Sequence, residues 1–185
     1  MPPKVKVTKE QIINTALDIV RKEGIGAVNA RSVAAAIGCS TQPVFSNFEN
    51  MEQLQSAVGG AAYSLYLDCQ ANEVKSGKYP PYKAYGMAYI RFAKEEKELF
   101  KLIFMRDTGG KSAPDGDFLR SVEMIMGANR VDEGTASLMH LEIWACVHGI
   151  AVMHATSFLE LDSELVSNML SDVYRGLQLK NGGNI

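Results

Sequence analysis

Four short polar side chains within one stretch of seven residues carry groups that hydrogen-bond to nucleic-acid bases: Thr41, Gln42, Ser46 and Asn47. The amides of Gln42 and Asn47 can each pair with the N6 and N7 edge of an adenine, and the ring of Pro43 can press on a thymine methyl group. The alternative is that these residues form the solvated face of an ordinary helix. The elements that surround them decide between the two.

A helix, a glycine turn and a second helix are predicted to position these side chains. Asn29 is a favourable N-cap for the first helix, and Gly38 is placed to end it. Its predicted inner face is apolar: Val33, Ala34 and Ile37. Ser40 can cap the next helix, from about residue 41 to 47, with Pro43 in a first turn where its missing N–H costs nothing. Because a helix about 10–12 Å across fits the major groove of B-DNA, this unit can present polar side chains to base edges.

A longer helix is predicted before this unit. Thr8 and Gln11 have the spacing of a capping box, and apolar residues recur at helical spacing after them until Gly24. We therefore expect a helix over about residues 9 to 23. The first 50 residues carry six Lys and Arg against four Asp and Glu, whereas the whole chain has a net charge of −2. A mildly basic head thus precedes an acidic body.

The stretch from Val28 to Phe48 resembles the DNA-binding unit of the TetR, or tetracycline-repressor-like, family of transcriptional regulators. The matching features are the Val33-Ala34 pair, Gly38 at the turn, Ser40 as cap, and the aromatic residues Phe45 and Phe48. The resemblance implies an all-α protein in which residues 1–50 form a helix-turn-helix DNA-binding domain and residues 51–185 form a ligand-binding and dimerisation domain. It also implies a homodimer that binds a pseudo-palindromic double-stranded operator, acts as a repressor, and responds to an unknown small-molecule effector. Because the sequence shows no early apolar run of the kind found in secretory signals, we expect a cytoplasmic protein.

The predicted DNA-binding residues are Lys6, Arg31, Ser40, Thr41, Gln42, Pro43, Phe45, Ser46 and Asn47. Arg31 and the N-terminal arm that contains Lys6 are expected to contact phosphates, although the arm can equally be a basic tail without a role. Two positions depart from the family pattern. Many members have Tyr in place of Phe45 and Lys in place of Met51, and both usually contact phosphate. The free N–H groups at the start of the fourth helix can still face a phosphate.

The rest of the chain is predicted to be a helical body. Helices are expected from about residue 51 to 72, after the Pro80-Pro81 breaker, from Leu99 to Met105, and at about 117–128, 133–158 and 162–178, with a loop over 108–116. The second-last helix contains 17 residues, Ile143 to Leu159, without a charged side chain. His148 and His154 interrupt it and no basic anchors flank it, so a place in a bundle or subunit interface is favoured over a membrane.

The segment from Trp144 through His148 to Gly149 resembles the Trp-His-Gly motif of one subgroup of TetR effector domains. The predicted ligand-binding residues are Phe92, Phe104, Met105, Met124, Trp144 and His148. Plain core packing is the alternative for each of them. A small, largely apolar effector is expected.

An enzyme is the main alternative class, and few features of the sequence support it. His140 and His148 are about 12 Å apart along one helix, too far to share a metal ion, and no glycine-rich phosphate loop or nucleophile elbow occurs. We therefore predict no catalytic residues, no cofactor and no metal. Cys39, Cys69 and Cys146 are odd in number and widely spaced, which is typical of small buried hydrophobes in a reducing compartment. A helical scaffold or small-molecule-binding protein without DNA activity remains the alternative function.

Overall fold

The computed structural model describes residues 7–107, 109 and 116–182, and within them it contains helices and no strand. The helices are α1 (Lys9–Glu23), a 3-10 turn (Ile25–Ala27), α2 (Ala30–Ile37), α3 (Gln42–Asn47), α4 (Met51–Ser76), α5 (Pro81–Glu95), α6 (Lys97–Phe104), α7 (Gly116–Asn129), α8 (Glu133–Ala155) and α9 (Ser163–Lys180). The predicted all-α fold with a helix-turn-helix near its start is confirmed.

The chain packs as two compact units. So far as the residues are described, the first is bounded by Met1–Leu67 and Glu96–Arg106, and the second by Asp68–Glu95 and Asp107–Ile185. Helix α4 therefore begins in the first unit and ends in the second, and α6 returns to the first. The predicted boundary between functional domains at residue 50 stays a prediction.

Local capping chemistry explains where α1 and α2 begin. Thr8 Oγ1 accepts the N–H of Gln11 at 3.1 Å, as predicted. Asn29 Oδ1 accepts the N–H groups of Arg31 and Ser32, each at 3.0 Å, and Ser32 Oγ in turn accepts the N–H of Asn29 at 3.0 Å. Each cap satisfies backbone donors that have no acceptor inside the helix. The reciprocal pair at Asn29 fixes the direction in which α2 starts.

The predicted cap of α3 was wrong. The N-cap is Thr41 rather than Ser40, and its side chain forms no capping hydrogen bond. Thr41 already has helical dihedrals, φ −71° and ψ −15°, whereas a capping side chain needs an extended backbone to reach the next N–H groups. Its carbonyl instead accepts the N–H of Val44 at 3.1 Å. Pro43 stands in the first turn as predicted and leaves one donor fewer to satisfy.

Gly38 ends α2 in the left-handed region, with φ +79° and ψ 36°. Its N–H reaches the carbonyl of Ala35 at 3.2 Å, and the N–H of Cys39 reaches that of Ala34 at 2.9 Å. These two bonds form a Schellman motif, which turns the chain sharply from α2 toward α3. The geometry of the helix-turn-helix therefore depends on a backbone conformation that glycine adopts most readily.

We expect Gly38→Ala to destabilise the protein by about 1–2 kcal/mol, because alanine is strained in the left-handed region. Gly60→Ala is the matched control. A methyl group added at either glycine meets no atom within 4 Å, but Gly60 lies inside α4 at an ordinary φ, so this change should stabilise by up to about 1 kcal/mol. Urea unfolding of both variants measures the two free energies of unfolding. Equal effects of the same sign would contradict a strained turn.

The first unit has an apolar core beneath the helix-turn-helix. Its fully or almost fully buried side chains include Ile12, Ala16, Val20, Val33, Ala34, Val44, Phe48, Leu99 and Phe100. Val44 and Phe48 both face inward into this core. Arg21 of α1 also binds Glu96, with Nε and Nη2 each 3.0 Å from a carboxylate oxygen. Residues 96–106 are therefore an integral part of this unit.

In the second unit, α5 packs closely against α8 and α9. A Cβ atom at Gly86 would lie 3.3 Å from Val147 Cγ2 and 3.5 Å from Leu170 Cδ1. Helices α7 and α8 share a separate apolar cluster formed by Val122, Ile125, Ala136 and Met139. The second unit is thus a helical bundle in which α8 is central.

Some sequence-based expectations need correction. Helix α8 ends at Ala155 rather than near 158, because Ser157 adopts a positive φ of 56° that interrupts the helix. Phe158, beyond this end, is 81% exposed. The three cysteines are half-buried rather than buried. Most of the predicted loop over 108–116 lies outside the described residues.

Candidate nucleic-acid interface and ligand cavity

Helix α3 presents a polar outer face. Gln42 and Ser46 are exposed, and Phe45 is 54% exposed, whereas Val44 on the opposite side is buried. The Gln42 side chain forms no hydrogen bond with any residue that the structure describes, so its amide is available to a base. Ser46 Oγ donates to the Gln42 carbonyl at 2.9 Å, and Asn47 Nδ2 donates to the Pro43 carbonyl at 2.8 Å. These two side chains are thus partly engaged by their own helix.

The other predicted DNA-binding residues lie in α3 or precede it in the sequence. Thr41 and Pro43 are half-buried, and Ser40 and Arg31 are exposed. Arg31 lies in the first turn of α2, where its backbone N–H donates to the Asn29 cap and its side chain is exposed. Lys6 lies outside the described residues.

Two basic residues of the head have partners within the first unit. The ammonium group of Lys9 lies 5.0 Å from the centroid of the Phe48 ring, a cation–π contact. Arg21 pairs with Glu96 and with Asp18, whose Oδ1 is 3.1 Å from Nη1. The hydrogen bond to Glu96 is the main cause that raises the pKa of Arg21. Arg21 is therefore a structural residue, which leaves Arg31 as the better candidate for a phosphate contact.

Asn50 and Gln53 cap the start of helix α4. Asn50 Oδ1 accepts the N–H of Gln53 at 2.8 Å, and Gln53 Oε1 accepts the N–H of Glu49 at 2.8 Å. The first turn also contains Glu52, whose charge opposes a nearby phosphate. Met51, at the position where lysine is usual in the family, is half-buried.

The predicted ligand residues are distributed over both units. Phe104 and Met105 belong to the first, whereas Phe92, Met124, Trp144 and His148 belong to the second. Of these, the structure brings Trp144 and His148 into direct contact, with ring centroids 4.9 Å apart and planes 8° from parallel. Phe92 is buried, Met124 is half-buried and Trp144 is 45% exposed. Their role in ligand binding stays a prediction.

Two tyrosine–histidine hydrogen bonds connect α5 to α8, and the sequence analysis missed both. Tyr89 Oη lies 2.9 Å from His148 Nδ1, and Tyr82 Oη lies 2.9 Å from His140 Nδ1. The near-equal spacing of the tyrosines and of the histidines is the pattern that could have indicated paired contacts between two helices. Burial raises the pKa of both tyrosines above the usual range and lowers the pKa of His148.

Because burial lowers the pKa of His148 below its ordinary 6.5, acid should destabilise the second unit. The unfolded chain takes up a proton at the ordinary pKa, and the folded chain takes it up only at lower pH. The free energy of unfolding should therefore fall as the pH drops from about 7 through 6.5. The fall should level off below the pKa of His148 in the folded protein. Urea unfolding of the wild type and of His148→Gln, compared at several pH values, isolates this contribution. An identical pH dependence of the two proteins would contradict it.

A cavity of about 190 Å³ lies in the second unit. Its apolar lining consists of Met87, Ile90, Leu161 and Val166. Its polar lining consists of Glu73, Lys78, Tyr79, Arg91, Lys94, His154 and Ser163. None of the six predicted ligand residues lines it. These residues come from distant parts of the sequence, so no local motif could have indicated the cavity.

Arg91 and Glu73 form the one ion pair found among the cavity residues, all of which the structure describes. Arg91 Nη1 lies 2.5 Å from Glu73 Oε2, and Arg91 Nη2 lies 3.3 Å from Cys69 Sγ. Glu73 is buried, and the guanidinium group of Arg91 supplies its counter-charge. The bond to Cys69 is the largest cause that raises the pKa of Arg91, ahead of the attraction of Glu73.

Within the described residues, no three His, Cys, Asp or Glu side chains are grouped so that they could hold a metal ion. Among the helices described, α8 alone has the length and composition to cross a bilayer. It packs against α5, α7 and α9, and 33% of its most apolar window is buried within the chain.

Comparison with known proteins identifies the second part of the chain. Residues 82–173, from α5 into α9, match the family model of the tetracycline repressor-like C-terminal domain. No curated protein matches the chain.

Proposed function

Because the chain belongs to the tetracycline-repressor-like family of transcriptional regulators, we propose that it is a repressor that binds a pseudo-palindromic operator as a homodimer and releases it when a small molecule occupies the second unit. The observation that carries the proposal is the outer face of α3. This face presents Gln42, whose amide bonds to none of the residues that the structure describes, beside Ser46, while Val44 and Phe48 anchor the helix in the core. Members of this family are in general not enzymes.

The contacts to DNA divide into two kinds. Gln42, at the first residue of α3, is suited to a bidentate contact with adenine in the major groove. Arg31, exposed at the start of α2, is suited to a phosphate. Six residues of helix are about 9 Å long, so α3 spans only a few base pairs of a half-site. One such helix gives little specificity by itself, which is why a dimer is part of the proposal.

Exposed apolar side chains on α8 support the homodimer. Leu138, Leu141 and Trp144 are 52%, 54% and 45% exposed and follow one another at intervals of three residues, which places them on one side of the helix. Leu165 and Leu179 of α9 are also exposed. Apolar surface of this kind is costly in water, and a second copy of the same helices would bury it in a four-helix arrangement.

One alternative function, without DNA binding, has some support from residues near the start of α4. Phe45 and Met51 stand where the family usually has groups that contact phosphate, and Glu52 adds a negative charge beside them. A helical small-molecule-binding or scaffold protein without DNA activity would have no need of those phosphate contacts. Such a protein would show no salt-dependent affinity for DNA.

Selection of genomic DNA fragments by the full-length protein separates these functions. A repressor should enrich a sequence that contains an inverted repeat, with half-sites about one helical turn, or a multiple of it, apart. Affinity for that sequence should fall as salt rises. Recovery of fragments without a shared repeat, and with no salt dependence, would favour the scaffold alternative.

A further inference from the structure

The cavity of the second unit has an apolar floor and a cationic rim. Met87, Ile90 and Val166 are buried or nearly so, and they form the floor with Leu161. Such surface favours an apolar ligand segment, because contact removes it from water. A ligand suited to this floor therefore has an alkyl or aryl part.

The charges at the cavity favour an anion. The buried carboxylate of Glu73 is neutralised by Arg91. Lys78 and Lys94 are exposed at the same cavity, and neither forms an ion pair with a residue that the structure describes. After the Glu73–Arg91 pair is set aside, the lining carries two further positive charges, of which Lys78 also lies 5.1 Å from the centroid of the Tyr79 ring. An ammonium ligand would be repelled and a carboxylate attracted.

The volume of the cavity limits the size of the ligand. It is about 190 Å³, whereas pockets for drug-sized ligands measure roughly 300–1,000 Å³ and a cavity of about 150 Å³ binds benzene. A ligand of on the order of ten non-hydrogen atoms fits this range. That number allows one head group and a short chain or single ring.

We propose that this cavity binds a small amphipathic carboxylate, with its alkyl or aryl tail against Val166 and its head group between Lys78 and Lys94. In naming this ligand as the effector, the inference rests on the proposed function. The binding itself requires no DNA. The cavity therefore assigns a chemical class to the ligand, and it does so through residues other than the aromatic set expected from the sequence.

Calorimetric titration of the full-length protein with three eight-carbon probes tests the class of ligand. Octanoate, 1-octanol and octylamine have tails of the same length and differ in the charge of the head group. We expect octanoate to bind on the order of tenfold more tightly than octanol, because two charged contacts each contribute severalfold, and octylamine to bind most weakly. Equal affinities for octanoate and octanol, or no binding of octanoate, would overturn the proposal.

Three variants test the location. Lys94→Gln should weaken octanoate binding by about threefold and leave octanol binding unchanged. Lys75→Gln is the matched control, since Lys75 is also exposed, at the end of α4, but does not line the cavity. Val166→Phe should fill the floor and abolish binding of both probes, with thermal unfolding as the check that it folds. Equal weakening by Lys75→Gln and Lys94→Gln would assign the effect to the overall charge and refute the site.

A final measurement separates this inference from the proposed function. Octanoate is added to the complex with a genomic fragment selected by the protein. Release of the fragment by octanoate, and not by octanol at the same concentration, is the expected result for an effector. Binding in the predicted head-group order without release would retain the cavity ligand and overturn its role as effector. Failure to select any fragment would overturn the repressor, while the three-probe titration would still decide the cavity.

Discussion

Leu141→Glu should lower operator affinity by about 10²–10⁴-fold without any change in the DNA-binding helices. Leu141 lies more than half exposed on the apolar side of α8, and a carboxylate there would have to be buried in the proposed dimer. The variant should therefore be a monomer. A monomer contacts one half-site at a time. In a dimer, binding of one half-site raises the effective concentration of the second DNA-binding unit at the other half-site, and the monomer loses this gain in affinity.

Leu119→Glu provides the matched control for this prediction. Leu119 of α7 is 55% exposed, so the same substitution adds the same charge at an equally exposed leucine outside the α8 surface. Sedimentation should give about twice 20.2 kDa for the wild type and for Leu119→Glu, and a single chain for Leu141→Glu. A dimeric Leu141→Glu with normal operator affinity would exclude α8 from the interface.

Gln42→Ala should weaken operator binding by about 1–3 kcal/mol, roughly 5- to 150-fold, while binding to random DNA changes little. The physical reason is that its amide, unengaged by the described residues, is suited to a base and not to the backbone. Discrimination should be lost at one base pair in each half-site. Binding titrations on the operator, on single-substituted operators and on random DNA measure all three effects.

Arg31→Ala is the contrasting variant, because Arg31 is placed to contact a phosphate. It should weaken operator and random DNA by similar factors and reduce the log–log salt slope by about one unit. If Gln42→Ala weakened all sequences equally, α3 would lie along the backbone rather than in the groove. Loss of discrimination between base pairs in Arg31→Ala would likewise contradict the proposed orientation of α3 in the groove.

The sequence predicted the first unit well, because its structure depends on interactions between near neighbours. The caps at Thr8 and Asn29 and the left-handed turn at Gly38 each involve residues within five positions of one another. Such contacts are encoded in residue type and spacing. The cap at Ser40 failed although it is local, because the chain had already turned helical at Thr41.

The second unit was predicted less completely, because its sites depend on tertiary packing. The helices were found from apolar spacing, but the pairing of Tyr89 with His148 joins residues 59 positions apart. The cavity joins Glu73 to Val166. Periodicity reports which face of a helix is apolar, and it does not report which helix that face meets.

The position of α6 in the sequence limits how such proteins can exchange their N-terminal helices by recombination. The residues that support α1 in the first unit, Glu96, Leu99 and Phe100, are encoded after the start of the second unit. A recombination event at a single crossover near residue 67 would transfer α1 to α3 and leave this support behind. The transferred helices would then have to pack against the α6 of another protein. That protein would also have to supply a partner for Arg21. Exchange of operator specificity between relatives should therefore favour pairs that share the α1–α6 contact, or proceed by substitution within α3 instead of by transfer of the whole unit.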